Sequence, residues 1–240
     1  METLKNKKVV IIGGTSGIGL ATAKLATLKG ANIIIASSNQ QRVDNALQEL
    51  PNESKGYAVD TTNESQLKIL FEKIGSFDHL IFTAGEGLIL ENIADASLET
   101  AQKFFNVRYW GAFTAVKYAI PYIRTTGSIT LTSGIASERP NKGWTLSASI
   151  CAAMEGFTRA LAMELAPIRV NIVSPGMVKT ALWSGMPDMD RQAMYTNVGN
   201  ALLVKRVGEA ADVARTFIYL MEQDFGTGQT LIVDGGTSLI

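Results

Sequence analysis

The chain has 240 residues, of which 46% are apolar, and its 22 lysines and arginines balance 22 aspartates and glutamates. This length fits one domain, since a single core rarely grows beyond roughly 250–300 residues. The apolar content excludes disorder as a description of the whole chain, and the lack of a basic excess argues against a nucleic-acid-binding protein.

The sequence has a single cysteine, Cys151, and a single histidine, His79. A disulfide within the chain is therefore impossible, and no metal site of the Cys/His type is expected. His79 enters an apolar run, where a structural role is more common than membership of a Ser-His-Asp triad. The polar start and the short apolar run that breaks at Gly13 predict neither a signal peptide nor a membrane span, so we expect a cytoplasmic protein.

Short β-branched runs alternate with longer amphipathic segments along the chain. The short runs predict seven strands, at Val9–Ile12, Ala31–Ser37, Gly56–Val59, His79–Thr83, Ser128–Ser133, Arg169–Ser174 and Gln229–Val233. The amphipathic segments predict helices at Leu20–Leu28, Arg42–Leu50, Glu64–Ile74, Leu98–Ile123, Trp144–Ala166 and Glu209–Met221.

Strands that are apolar on both faces and separated by helices are typical of a parallel sheet covered on both sides. With right-handed crossovers they predict one α/β domain over residues 1–240, a doubly wound (Rossmann-type) fold with a seven-stranded, mostly parallel sheet. The longest interruption between strands, about residues 177–207, is rich in methionine and aromatic residues. A segment of that length is predicted to be a substrate lid.

A glycine-rich loop, from Gly13 through Thr15, Ser16, Gly17 and Ile18 to Gly19, follows the first strand and opens the first helix. In such a turn Gly13 permits the reversal, Gly17 lets the backbone approach a pyrophosphate, and Gly19 allows close packing of helix and strand. The helix N-terminus offers free N–H groups to the anion. The spacing is not the strict Gly-x-Gly-x-x-Gly pattern, but its place in a βαβ unit predicts a dinucleotide site.

The end of the second predicted strand indicates which dinucleotide is bound. An acidic residue there would accept the ribose hydroxyls of NAD, whereas a basic or hydroxyl-rich pocket suits a 2′-phosphate. This chain has Ser37 and Ser38, with Arg42 one turn further on and no acid before Asp44. The sequence therefore favours NADP(H) over NAD(H).

Several motifs in order resemble the short-chain dehydrogenase/reductase family over essentially the whole chain. The glycine loop matches the family's Thr-Gly-x-x-x-Gly-x-Gly with Ile12 in place of Thr, and Phe82–Gly85 keeps the Ala-Gly of an Asn-Asn-Ala-Gly motif. The segment from Ser174 to Thr180 matches the Pro-Gly segment that borders the nicotinamide in the family, and residues 228–236 match its last strand. The resemblance implies further cofactor contacts from Asp60, Thr61, Thr83, Ala84, Gly85, Pro175, Gly176, Val178 and Thr180.

The resemblance fails at the family's catalytic Tyr and Lys, which lie four residues apart on one helix face. Leu146 and Ile150 are assigned to those positions, and neither can donate a proton or carry a charge. Arg108 stands where the family has a supporting Asn, and only Ser133 fits the family's catalytic set. We therefore take Ser133 and Arg108 as candidate catalytic residues, one to hydrogen-bond a carbonyl and the other to stabilise negative charge.

The leading interpretation is an atypical NADP(H)-dependent oxidoreductase that reduces a carbonyl or an activated double bond of a small molecule by hydride transfer. In this view Leu146 and Ile150 form an apolar helix stripe or the floor of the site. The alternatives are a catalytically inactive nucleotide-binding protein, acting as sensor or scaffold, and a lyase or isomerase on the same fold. The resemblance also implies a homodimer or homotetramer.

Overall fold

The computed structural model describes residues 3–240, whose main sheet has seven strands in the order β3-β2-β1-β4-β5-β6-β9. Every pairing between neighbours in this sheet is parallel, which confirms the doubly wound prediction. The strands are β1 Lys8–Ile12, β2 Asn32–Ser37, β3 Lys55–Ala58, β4 Phe77–Phe82, β5 Ile123–Thr132, β6 Arg169–Pro175 and β9 Thr230–Val233. Two short strands, β7 Val178–Lys179 and β8 Gly208–Glu209, pair separately.

Eight α-helices connect these strands and cover both faces of the main sheet in the described part of the chain. They are α1 Gly17–Leu28, α2 Gln40–Leu47, α3 Glu64–Ile74, α4 Leu98–Lys103, α5 Ala112–Ala119, α6 Thr145–Glu164, α7 Asp188–Ala201 and α8 Ala210–Glu222. Shorter helical turns lie at Asn106–Gly111 (a π-helical turn), Ile135–Ser137, Ala181–Trp183 and Thr237–Leu239.

Strand β1 shows why the sheet is covered on both faces. Val9 and Ile11 pack with residues of α1 and α8, whereas Val10 and Ile12 pack with residues of α3, α5 and α6. All four side chains are at most 1% exposed. Because successive side chains of a strand point to opposite faces, a strand that is apolar throughout requires a layer on each side.

The predicted long helix Leu98–Ile123 is wrong: this stretch is divided into α4, the π-helical turn Asn106–Gly111 and α5. The Glu86 side chain accepts the backbone N–H groups of Val107 and Arg108, which holds the wider turn in place. Helix α5 ends at Ala119, two residues before Pro121, since proline cannot continue the hydrogen-bonded ladder.

Strand β5 also begins earlier than predicted, at Ile123 instead of Ser128. Its Gly127 allows close approach to β4, because a Cβ atom there would lie only 2.0 Å from the Asp78 carbonyl oxygen. The register of the β4–β5 pairing shifts between Phe77 and His79. The early start is therefore an irregular extension of the strand, and no pattern of alternating side chains marks it.

His79 is buried between β4 and β5, where its Nδ1 lies 2.9 Å from the Ser128 hydroxyl oxygen. Burial lowers the pKa of His79 from 6.5 to about 4, and the neighbouring Asp78 carboxylate offsets only part of this effect. The histidine is thus held neutral by the sheet, as its structural reading predicts.

We expect His79 to make folding stability fall with pH below neutrality. Between pH 6.5 and about 4 the unfolded chain binds a proton on this histidine that the folded chain does not. From pH 7 to pH 5 this difference lowers the free energy of unfolding by about 2 kcal/mol. His79→Asn can still hydrogen-bond Ser128 but does not titrate, so urea unfolding should show a weaker pH dependence for this variant. The same pH dependence in both proteins would contradict a buried neutral histidine.

Candidate functional site

A cavity of about 950 Å³ lies along the carboxyl ends of β1, β4, β5 and β6. At one end it is lined by the glycine-rich loop and at the other by the start of α6. Fifteen of the predicted site residues line it. Two are the candidate catalytic residues Arg108 and Ser133, and the other thirteen are the predicted cofactor residues Gly13, Thr15, Ser16, Gly17, Ile18, Gly19, Arg42, Thr83, Gly85, Pro175, Gly176, Val178 and Thr180. The sheet edge is the usual ligand-binding place in doubly wound folds.

The glycine-rich loop has the geometry that a bound pyrophosphate requires. Gly13 has a φ of +87° and Gly17 a φ of +49°, conformations that other L-residues rarely adopt. A Cβ atom at Gly19 would lie 2.2 Å from the Gly13 carbonyl oxygen, so helix α1 begins directly against β1. Its first N–H groups have no helical partner and point toward the loop, which fits a dinucleotide phosphate.

Five predicted cofactor residues, Ser37, Ser38, Asp60, Thr61 and Ala84, lie near this edge but do not line the cavity. Ser37 ends β2, and Ser38 follows it on the surface. The Asp60 carboxylate accepts hydrogen bonds from the backbone and hydroxyl of Thr62. Thr61 is buried against Gly111, and Ala84 packs on the core.

The end of the cavity nearest the start of α6 is polar, and Ser133 is at its base. The Ser133 hydroxyl donates to Glu155 Oε1 at 2.9 Å and lies 3.1 Å from the Cys151 carbonyl oxygen. Ser137 donates to the same Glu155 oxygen at 2.6 Å. Glu155, which is only 7% exposed, is not among the predicted site residues. The Ser133 hydroxyl therefore has two acceptors on α6, a buried carboxyl group and a backbone carbonyl.

Arg108 brings a positive charge to this end from the π-helical turn. A Cβ atom added at Gly85 would lie 2.6 Å from its Nη2, so the guanidinium rests against the backbone that follows β4. It also lies beside the Cys151 thiol. Burial raises the pKa of Cys151, while Arg108 and Ser133 act in the opposite direction. The structure thus brings Arg108 to the same end of the cavity as Ser133.

The assignment of Leu146 and Ile150 to the inward-facing pair of α6 needs correction. The residues four apart that both line the cavity are Ser147 and Cys151; Ile150 reaches it too, but Leu146 does not. Leu146 packs instead in the apolar cluster around Phe104. One residue corresponds to about 100° of rotation on a helix, so a shift of one position changes the face. Glu138 and Lys142, in the loop between Ser133 and α6, are exposed and do not line the cavity.

The remaining wall is apolar and comes partly from the predicted lid. Its residues outside the lid include Leu88, Leu90, Phe104 and Trp144. From residues 177–207 the cavity receives Leu182, Trp183, Val198 and Leu202 among others. This segment is more ordered in secondary structure than a loop, because it contains β7 and α7, and Trp183 Nε1 donates to the Val178 carbonyl at 3.0 Å.

Comparisons with known proteins agree with this geometry. A profile described as an SDR-like rossmann domain matches residues 1–240. The short-chain dehydrogenase/reductase ATR9 of Stachybotrys chlorohalonatus is 36% identical and matches over 100% of each chain. A structure of a small-chain dehydrogenase in complex with NADPH is 36% identical, with a TM-score of 0.84 and coverage of 98% of this chain and 100% of that one.

A third relative is the MalC reductase/Diels-Alderase of Malbranchea aurantiaca, with 30% identity, a TM-score of 0.92 and coverage of 100% of this chain and 99% of that chain. The chain belongs to the short-chain dehydrogenase/reductase family. Within residues 3–240 no helix combines the length and the apolar character needed to cross a membrane. The same residues contain no group of three or more His, Cys, Asp or Glu that could hold a metal ion.

We expect the motion of residues 177–207 to be restricted when a nicotinamide nucleotide binds, since Val178 and Thr180 face the glycine loop across the cavity. Hydrogen exchange with and without NADP should show slower exchange in this segment. Helix α3 contributes no residue to the cavity wall and should be unaffected. Unchanged exchange across 177–207 at saturating NADP would contradict a lid.

Proposed function

We propose that this protein is an NADPH-dependent reductase that acts on an apolar small molecule bearing a carbonyl group or an activated double bond. The observation that carries the proposal is the continuity of one cavity from the glycine-rich loop to Arg108 and Ser133. Such a cavity can hold a dinucleotide and a second molecule end to end. The NADPH-bound relative and the MalC reductase support the same reading.

The roles proposed for the residues follow from their contacts. NADPH would supply a hydride; Gly13, Thr15, Ser16, Gly17, Ile18 and Gly19 would hold its pyrophosphate. Arg108 would stabilise negative charge on the substrate oxygen as it develops. Ser133 is proposed as a positioning residue, because its hydrogen bonds to Glu155 and to the Cys151 carbonyl fasten the start of α6 to the end of β5.

The surface supports the proposed self-association. Trp110 and Phe113, in the π-helical turn and α5, are 53% and 44% exposed, and Met163 of α6 is 84% exposed. Large apolar side chains on neighbouring helices are typical of a face covered by another subunit. A homodimer or homotetramer is thus part of the proposal.

We expect NADPH to bind at least severalfold more tightly than NADH. Arg42 lines the cavity at the glycine-loop end, and Ser37 and Ser38 lie beyond it at the end of β2. A guanidinium that pairs with the 2′-phosphate contributes to NADPH binding only. Arg42→Ala should therefore lower the affinity for NADPH by about tenfold and leave the affinity for NADH almost unchanged. Fluorescence titration with both cofactors measures this. A wild-type preference for NADH, or an equal loss of affinity for both cofactors in Arg42→Ala, would contradict the 2′-phosphate site.

We expect turnover to depend on the position of the Arg108 guanidinium. Arg108→Ala should lower kcat/KM by about 100-fold on any aromatic ketone or enone of a test panel that the wild type reduces. Gly85→Ala should act in the same direction, because its Cβ would occupy the space 2.6 Å from Nη2 and displace a flexible side chain.

The control for these variants is Gly156→Ala, at an exposed position of α6 where a Cβ atom meets nothing within 4 Å. NADPH affinity should be retained in Arg108→Ala and in Gly156→Ala. Wild-type turnover in Arg108→Ala would remove this residue from the reaction.

The second candidate is a nucleotide-binding protein without turnover. It is favoured by one observation, that the inward-facing pair of α6 is Ser147 and Cys151, neither of which supplies a phenol or an ammonium group. Tight NADPH binding with no oxidation of NADPH by the full panel would make it the better account.

A further inference from the structure

Ser147 is a buried hydroxyl that the reaction proposed above does not use. It is 6% exposed and lines the cavity in the first turn of α6. Its Oγ is buried and has no hydrogen-bond partner among residues 3–240. A buried hydroxyl normally has a hydrogen-bond partner, and leaving that hydrogen bond unmade costs about 1–3 kcal/mol. An unpaired hydroxyl that faces a cavity therefore indicates a ligand atom that pairs with it.

The other polar groups at this end determine what kind of atom that is. The Ser133 hydroxyl already has two acceptors on α6, Glu155 Oε1 and the Cys151 carbonyl oxygen, and the Cys151 thiol is neutral because burial raises its pKa. Arg108 supplies a positive charge. The N–H groups of the first turn of α6 add the positive end of a 20-residue helix.

In the described part of the chain, the lining of the whole cavity includes three charged side chains, those of Arg42, Glu86 and Arg108. Arg42 belongs to the cofactor end. Glu86 faces the π-helical turn and accepts the backbone N–H groups of Val107 and Arg108 through Oε1, so its negative charge already has two donors. Glu155 lies behind Ser133, where two serine hydroxyls pair with it. Next to Ser147 the balance of donors favours an oxygen atom with negative charge.

We propose that Ser147 Oγ and the Arg108 guanidinium, at the N-terminal turn of α6, bind the substrate oxygen as it becomes an enolate, so that the substrate class is an apolar α,β-unsaturated ketone or aldehyde. This inference rests on the proposed reductase function. It makes Ser147 a catalytic residue and distinguishes between the two kinds of substrate that the proposed function leaves open.

The chemistry explains why a conjugated double bond fits better than an isolated carbonyl. The β-carbon of the substrate accepts a hydride from the reduced nicotinamide and forms a C–H bond. The C=C electron pair moves to form the enolate, and the nicotinamide is oxidised. The enolate α-carbon then takes a proton from water. An isolated ketone would instead give an alkoxide, whose oxygen is a far stronger base than an enolate oxygen and needs a full proton, which neither the Ser147 hydroxyl nor the Arg108 guanidinium is matched to give.

The oxygen site can be tested without turnover by titrating 4-nitrophenol, an enolate analogue, into the complex with NADP⁺. Absorbance of the phenolate form reports the ionisation of the bound ligand, and Trp144 and Trp183 fluorescence reports binding. Wild type should bind the phenolate in preference to the neutral phenol. Ser147→Ala should weaken phenolate binding about tenfold or more, and Ser147→Thr, which keeps the hydroxyl, should restore most of it.

Ser149→Ala is the matched control, since Ser149 lies two residues away on the exposed face of α6 and does not line the cavity. It should bind the phenolate as wild type does. Equal phenolate affinity of wild type and Ser147→Ala, or a preference of wild type for the neutral phenol, would overturn the site. Thermal unfolding of each variant identifies one that has lost its fold.

Turnover of a matched substrate pair tests the substrate class. Wild type should oxidise NADPH with 4-phenyl-3-buten-2-one at least tenfold faster than with its saturated ketone, 4-phenyl-2-butanone, and Ser147→Ala should remove most of this difference. Faster reduction of the saturated ketone would overturn the proposal. If phenolate binding depends on Ser147 but neither compound oxidises NADPH, the oxyanion site stands and the reductase function fails. If NADPH is oxidised and Ser147→Ala changes neither phenolate binding nor the substrate preference, the reductase function stands and the oxyanion site fails.

Discussion

The carboxyl ends of β1 and β4 are held together by one threonine and two glycines, and the cavity depends on this contact. The Thr83 hydroxyl lies 3.2 Å from the carbonyl oxygens of Ile12 and Gly13. A Cβ atom at Gly13 would lie 2.5 Å from the Ala84 nitrogen, and one at Gly19 would lie 2.2 Å from the Gly13 carbonyl oxygen. Because no side chain fits there, α1 starts at the sheet edge and its unpaired N–H groups face the cavity.

The positive charge at the other end of the cavity comes from outside α6. Its inward-facing positions hold a hydroxyl and a neutral thiol, so the helix offers no charged side chain to this end. Arg108 reaches the Cys151 thiol from the π-helical turn, which the Glu86 carboxylate holds through two backbone N–H groups. Gly85 leaves room for the guanidinium. The segment that follows β4 thus shapes both the cofactor wall and the polar end of the cavity.

The strands and the glycine loop could be predicted because their signals are local. Apolar runs of four to six residues can be recognised one at a time, and Gly13 needs only its own backbone conformation. The register of α6 could not be obtained this way. Leu146 with Ile150 and Ser147 with Cys151 are both four apart, and without Tyr or Lys the spacing alone does not select between them. The division of Leu98–Ile123 was missed because the Glu86 contact that causes it is far away in sequence.

Glu155 supplies the long-range contact that sets the rotation of α6. It lies four residues after Cys151 and eight after Ser147, and residues spaced by four lie on nearly the same helix face. Once its carboxyl group accepts the Ser133 hydroxyl at the end of β5, Cys151 faces the same side one turn earlier, about 40° away around the helix. Ser147, two turns earlier and about 80° away, still reaches the cavity. Burying a carboxyl group is unfavourable unless it is hydrogen-bonded, and here two serines satisfy it. In the proposed reaction the Ser133 hydroxyl would therefore act on the site through the helix it orients, and substrate contact would fall to Ser147 and Arg108.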